Sequence, residues 1–303
     1  MERFPKKQAA VIMIQGTASH VGKSMIATAF CRIFTRHGYR TAPFKSWNMS
    51  VNTYLTADGG EIGVGQGQQA EAARIKATVE MNPLLIKPVA PGQVQVIVRG
   101  RPYKSVDTAV YAKEKQHDFY LQVIAESLAR LCWEYEIVVI EGAGSPAEIN
   151  LQEQDVANMQ TAHLAKAPVL LVGDFSRNGA LAGTLGTYLL LPPKDRALLG
   201  GFLFNKFDGE EAKLQLLAKV LTAETKLPVL GAIPYLKDLT LAEEDVAKEK
   251  ALRGEEVAEK KADSGRQYDL LADAVEKALE MPQIYHLMGL AGPRKESGPW
   301  VQS

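Results

Sequence analysis

The residues with the most chemistry in them come early, in the run GTASHVGKS at positions 16–24. It follows an apolar stretch of strand length, residues 10–15. It precedes residues 22–38, whose apolar positions recur at helical spacing and stop at a glycine. Strand, glycine loop and helix in that order make an anion site. Glycines let backbone N–H groups converge on phosphate oxygens, and the helix N-terminus adds its positive dipole end. Gly16, Thr17, Val21 and Gly22 are the loop residues placed to touch phosphate, Lys23 supplies a point charge, and Ser24 offers a hydroxyl to Mg²⁺. Five residues separate Gly16 from the Gly22–Lys23 pair where the strict spacing has four, so the loop is a variant. The chemistry that follows is binding of a nucleoside triphosphate with Mg²⁺.

Three further groups belong with this loop. An apolar run at residues 137–140 ends in Glu141, followed by Gly-Ala-Gly-Ser-Pro. A carboxylate at the carboxyl end of a neighbouring parallel strand is where a Mg²⁺ ligand projects, and the bland alternative is a solvated turn. The strand at residues 39–45 ends in Lys45, placed either to hold a γ-phosphate or an anionic substrate, or merely to face solvent. Asn205-Lys206-Phe207-Asp208 follows another strand and matches an N-K-x-D pattern, which makes Asn205 a nucleobase candidate. Those four letters leave adenine and guanine open.

Elements that can carry these groups are legible along the first 235 residues. Apolar runs at 137–140, 169–172, 202–204 and 229–233 read as buried strands. Helical stretches at 119–135, 156–166, 180–191 and 210–225 separate most of them. Such alternation implies an α/β fold with a parallel sheet and helices on both faces. Residues 93–98 alternate polar and apolar and read as a hairpin edge. Residues 241–261 are charge-rich and read as a solvated connector, residues 268–279 as a last helix, and 289–303 as a frayed end.

Composition narrows the partners. The chain has 303 residues with 35 Lys+Arg against 35 Asp+Glu, which argues against nucleic-acid coating or a polybasic membrane binder. Hydrophobic residues at 46% and charged residues at 23% mark an ordinary globular chain. No apolar run approaches about 18 residues, and the N-terminus lacks a leader-like apolar core. Cys31 and Cys132 have neither metal nor disulfide spacing. The expectation is a reduced cytoplasmic protein.

With these pieces in order, the chain resembles the cobyric acid synthase family, in the dethiobiotin-synthetase-like group of P-loop amidoligases. The likeness is carried by QGTASHVGKS (15–24), APFKSWNMSVNTYLTADGGEIG (42–63), MNPLLIKP (81–88), YEIVVIEGAGSPAEINL (135–151), DVANM (155–159), NKFDG (205–209) and VLGAIPYL (229–236). It implies a P-loop NTPase-like fold and an amidoligase domain over residues 1–240, with 241–303 appended. It also implies ATP-dependent phosphorylation of peripheral carboxylates of a corrinoid, adenosyl-cobyrinic acid a,c-diamide. Ammonia then displaces phosphate from the acyl phosphate. Lys23, Lys45 and Glu61 are the implied catalytic groups, and Asn48, Asn52 and Asp58 the implied substrate contacts.

The chain departs from the family at several motif positions. His20 stands where the family has an acid, Trp47 where it has Gln, and no arginine follows GEIG. Asp174, Arg177 and Gly179 keep part of a D-x-D-R-G-G pattern, while Ser176 does not. No Gly-x-Cys-x-Gly elbow surrounds either cysteine, so no glutamine amidotransferase domain is expected within these residues. Ammonia would then come from solution or from a separate glutaminase, unless the chain is a piece of a longer one. The fold group commonly forms homodimers, which leaves that assembly open. A dethiobiotin-synthetase-like ligase and a partitioning-type ATPase switch without ligase chemistry are the competing readings.

Overall fold

The computed structural model describes residues 9–111, 116–148, 155–236, 239 and 264–294. The chain begins with β1 (Ala10–Gly16), α1 (Lys23–Arg36) and β2 (Thr41–Phe44). An insertion follows, with β3 (Trp47–Met49), β4 (Thr53–Leu55), β5 (Glu61–Gly63), α2 (Val64–Ala72), β6 (Leu84–Ala90), β7 (Gln93–Val98), β8 (Arg101–Asp107) and α3 (Thr108–Tyr111). Strand and helix alternation resumes in α4 (His117–Glu134), β9 (Ile137–Glu141), α5 (Met159–Ala165), β10 (Val169–Asp174) and α6 (Ala180–Leu190). It continues through α7 (Pro193–Arg196), β11 (Leu199–Phe207), α8 (Glu211–Thr225) and β12 (Val229–Pro234). Helices α9 (Ser264–Ala278) and α10 (Met281–Leu287) come last.

The main sheet has the order β12-β11-β10-β1-β9-β2, and every pairing in it is parallel. Its strands are apolar on both sides because each side meets helices. Alternate residues go to opposite cores, as the two-residue period of a strand requires. Met13, Val138, Ile140, Val169, Leu171, Phe202 and Phe204 pack toward Ile124 and Leu128 of α4 and Leu217 and Leu221 of α8. Ile12, Ile14, Ile137, Val139, Leu170, Val172 and Leu203 pack toward Ile26, Phe30 and Phe34 of α1, with Leu271 and Tyr285 from α9 and α10. Pro43 is tolerated inside β2 because β2 is an edge strand bonded only to β9. The α/β parallel sheet covered on both faces is the architecture expected from the sequence.

Several elements depart from expectation. Strand β7 is no edge of the main sheet but an inner strand of a separate sheet, β3-β6-β7-β8. Val94 and Val96 of its alternating run are buried, and Ile97, beyond a register shift against β8, is buried as well. Strands β3 to β6 and helices α2 and α10 carry no clear sequence signal, being short or poor in apolar periodicity. Helix α5 starts at Met159 rather than 156, because Asp155 first gathers the amides of Ala157, Asn158 and Met159.

Residues 289–294, expected to fray, are held. The Tyr39 hydroxyl donates to Gly292 O at 2.6 Å, Arg294 lies 4.5 Å over the Tyr39 ring, and Arg294 pairs with Glu136 at 2.9 Å. Helix α9 is fixed to α1, where Arg32 spans both Asp269 oxygens at 2.8 Å each. The charged stretch 241–261 and the end at 295–303 lie outside the described residues.

Candidate nucleotide and metal site

Every chemistry-bearing loop of the main sheet opens at the carboxyl ends of its strands, where ligands bind in doubly wound sheets. The loop after β1 leads directly into α1, so Lys23 and Ser24 are the first two helical residues. Gly22 has φ +98°, and a Cβ there would sit 2.0 Å from Asn205 Nδ2. Only glycine takes that backbone and that close approach together. Thr17 N donates to Val172 O at 2.9 Å, fixing the start of the loop to β10. Lys23 folds over the loop, its ammonium donating to Ala18 O at 2.9 Å and Gly144 O at 3.1 Å.

Strand register decides what lies beside the loop. Ile14 pairs with Glu141 across β1 and β9, and Phe44 pairs with Ile140 across β2 and β9. One step further on, Lys45 therefore reaches Glu141 from one side while Ser24 reaches it from the other. Ser24 Oγ donates to Glu141 Oε1 at 2.6 Å, Lys45 Nζ to the same oxygen at 2.8 Å, and Gln69 Nε2 to Oε2 at 2.6 Å. Glu141 and Lys45 are 1% and 7% exposed. Burial pushes the Glu141 carboxyl up, but Lys45 and the Ser24 and Gln69 hydrogen bonds outweigh it. The carboxyl is held below its ordinary value and stays ionised.

Gln69, on α2, escaped the sequence reading because α2 has little amphipathic signal. Its Oε1 is buried without a hydrogen-bond partner, as are Gln15 Oε1 and Asn205 Oδ1. Buried polar atoms left this way mark places where a ligand or water completes the network.

Asn205 lies behind the loop at 1% exposure and donates Nδ2 to Val21 O at 3.0 Å. Asn48 is buried and donates to Gln66 Oε1 at 3.2 Å. The other candidates from the insertion stand apart from Glu141. Glu61 is paired with Lys87 at 2.8 Å, and Asn52 accepts the Ser50 hydroxyl at 2.8 Å through its carbonyl. Asp58 is exposed at the β4–β5 turn, its carboxyl lowered chiefly by the Thr56 hydroxyl. Burial pushes the Cys31 thiol far up and Cys132 to about 11, so neither is a thiolate nucleophile near neutral pH.

The donor set fits Mg²⁺. A hydroxyl and an ionised carboxylate stand 2.6 Å apart beside a loop built for phosphate, and hard oxygen donors are what that ion takes. Among the described residues no cluster of three or more His, Cys, Asp or Glu forms an alternative metal site. Among them, too, no helix is long and apolar enough to cross a membrane.

Fold and loop together define a P-loop nucleotide-binding α/β protein. A family model for the CobQ/CobB/MinD/ParA nucleotide binding domain matches residues 12–247, and the chain belongs to that family. It is 52% identical over 237 residues to the cobyric acid synthase of Pelotomaculum thermopropionicum, covering 78% of this chain and 45% of that one. It is 51% identical over 237 residues to that of Sorangium cellulosum, with the same coverage. The Geobacillus kaustophilus cobyric acid synthase is 50% identical over 238 residues, covering 78% and 47%. The chain thus spans under half the length of these relatives. Among solved structures, the septum site-determining protein MinD of Pyrococcus horikoshii, complexed with Mg-ADP, aligns at TM-score 0.39. That match has 15% identity and covers 88% of this chain and 96% of that one.

Proposed function

We propose that this chain carries the synthetase chemistry of cobyric acid synthesis. It would use ATP to activate peripheral carboxylates of a corrinoid, adenosyl-cobyrinic acid a,c-diamide, for amidation to cobyric acid in cobalamin biosynthesis. The observation that supports this most is the Ser24–Glu141–Lys45 group beside the phosphate loop. It occurs in a chain about half identical, over its matched length, to proteins named cobyric acid synthase. The amidoligase unit corresponds to residues 1–240, with 241–303 appended.

A carboxylate is a poor electrophile near neutral pH, and moving the γ-phosphate onto its oxygen creates a leaving group. Ammonia then attacks the acyl phosphate carbon, the C–O bond to phosphate breaks, and a carboxamide remains. The protein's task is alignment and charge neutralisation. The loop amides and Lys23 hold the phosphates, and Ser24 and Glu141 hold Mg²⁺. When bound, Mg²⁺ offsets phosphate charge. Lys45, at the edge of the same crevice, steadies the anion passing between nucleotide and substrate. Asn205 Oδ1 accepts the exocyclic amine of adenine, which guanine lacks at that position. Asn48, Asn52, Asp58 and Glu61, from the insertion, contact the corrinoid. Ammonia comes from solution or from a glutaminase unit.

The test is incubation with ATP, Mg²⁺, ammonium and cobyrinic acid a,c-diamide, following ADP release and the corrinoid mass. Stepwise conversion of carboxylates to carboxamides supports the reading. ATP binding without any mass change on a tetrapyrrole carboxylate overturns it.

A further inference from the structure

We propose that Lys206 is a positioning residue for the phosphate loop, gripping it through the His20 carbonyl while Asp174 orients its ammonium. Lys206 Nζ donates to His20 O at 2.8 Å and to Asp174 Oδ2 at 3.0 Å. Asp174, at the carboxyl end of β10, is 5% exposed, and its Oδ1 takes Ser176 N at 3.0 Å and Ser176 Oγ at 2.6 Å. Three loops at the carboxyl edge of the sheet are thereby tied to one ammonium.

The backbone explains how this is possible. Consecutive side chains of a strand point to opposite faces, so Asn205 and Lys206 on a regular strand could not serve adjacent loop carbonyls. Lys206 has φ 60°, in the left-handed region, which breaks the alternation. Asn205 then reaches Val21 O and Lys206 reaches the preceding carbonyl, His20 O. His20 itself has φ 63°, a conformation that a non-glycine residue holds only when its surroundings impose it.

Those two carbonyls are the useful ones to hold. Across a planar trans peptide, C=O and the following N–H point in opposite directions. Tying back His20 O and Val21 O turns the N–H groups of Val21 and Gly22 the other way, as an anion-binding nest requires. With its ammonium donating to His20 O and to Asp174 Oδ2, an oxygen that Arg177 also approaches at 3.4 Å, the lysine acts as a brace rather than as a phosphate ligand. That role rests on the reading that nucleotide phosphates occupy the loop.

The experiment compares the unaltered chain with Lys206→Met, Lys206→Arg, Asp174→Asn and the double variant His20→Gly/Lys206→Met. Amide hydrogen exchange over residues 17–22 is read without ligand, and equilibrium binding is read for ATP and for adenosine. Lys206→Met should speed exchange at Val21 and Gly22 and weaken ATP binding by about tenfold, the scale of one lost charged hydrogen bond. Adenosine binding should change by less than about twofold by the same scale. Asp174→Asn should reproduce the effect in part, and Lys206→Arg should retain most of the ATP affinity. His20→Gly should recover part of the loss, since glycine adopts the left-handed turn without a brace.

Unchanged loop exchange in both Lys206→Met and Asp174→Asn overturns the proposal. Equal losses for ATP and adenosine also overturn it, because Lys206 would then touch the nucleoside. If the unaltered chain binds no ATP, the functional reading falls, while the ligand-free exchange still judges the brace.

Discussion

Lys45 Nζ lies 2.8 Å from Glu141 Oε1, and both side chains are buried. The oxygen that Lys45 holds also accepts the Ser24 hydroxyl. One carboxylate oxygen thus joins the end of β2 to the start of α1, across β9. Its energetics and those of the loop beside it lead to the following expectations.

Removing the lysine should leave a buried carboxylate without its cation. Lys45→Met should cost about 3–5 kcal/mol of stability, the usual effect of breaking a buried ion pair from one side. Adding Glu141→Gln should return much of that loss, since no buried charge then remains. Urea unfolding of the single and double variants near neutral pH reads both values.

Acid sensitivity follows from the same group. Glu141 has an ordinary value of 4.5 and a lower folded one. Its contribution is therefore fully present above about pH 4.5 and is lost as pH falls through the folded value. Glu141→Gln should flatten that acid limb, with unfolding midpoints compared between about pH 3 and pH 7. An unchanged limb would show that other carboxylates govern acid unfolding.

Lys23→Ala should abolish nucleotide turnover. Losing a preorganised charge held over the phosphate loop costs about 10²–10³-fold in rate. Steady-state ADP release measures it, and retained turnover would refute the loop assignment.

Gly22→Ala should damage binding through shape alone. The added Cβ meets Asn205 Nδ2 at 2.0 Å in a backbone with φ +98°. Strain of this kind costs about 1–3 kcal/mol. Asn205→Ala should relieve the collision but not the backbone cost, so the double variant should recover only part of the ATP affinity by calorimetry.

On the proposed role of Asn205, whose buried Oδ1 has no protein partner among the described residues, Asn205→Ala alone should narrow the preference for ATP over GTP. Competition binding with the two nucleotides reads the ratio. A preference that does not move would remove Asn205 from base recognition.

Much of this site could be read before any fold was in hand. The order of strand, glycine loop, Lys23, Ser24 and helix is local, and local order specifies an anion cradle wherever the chain folds. Glu141 and Lys45 were also legible as strand-end residues, because continuous apolar runs mark buried parallel strands whose carboxyl ends share one edge. The alternating elements likewise implied a sheet covered on both faces.

Tertiary structure decided the pairings. Strand order puts β9 between β1 and β2, which sets Glu141 between Ser24 and Lys45, and order across a sheet is a non-local property. Gln69 reaches Glu141 from a helix with no strong pattern of its own. Glu61 pairs with Lys87 rather than with the Glu141 group because β5 and β6 belong to the insertion, outside the main sheet. The Asn205-Lys206 pair reads as a base-contacting motif by its letters. A left-handed turn at Lys206 also aims the Asn205 Nδ2 and the Lys206 ammonium at carbonyls of the phosphate loop while Asn205 Oδ1 keeps no protein partner among the described residues, and a single backbone dihedral leaves no trace in residue spacing.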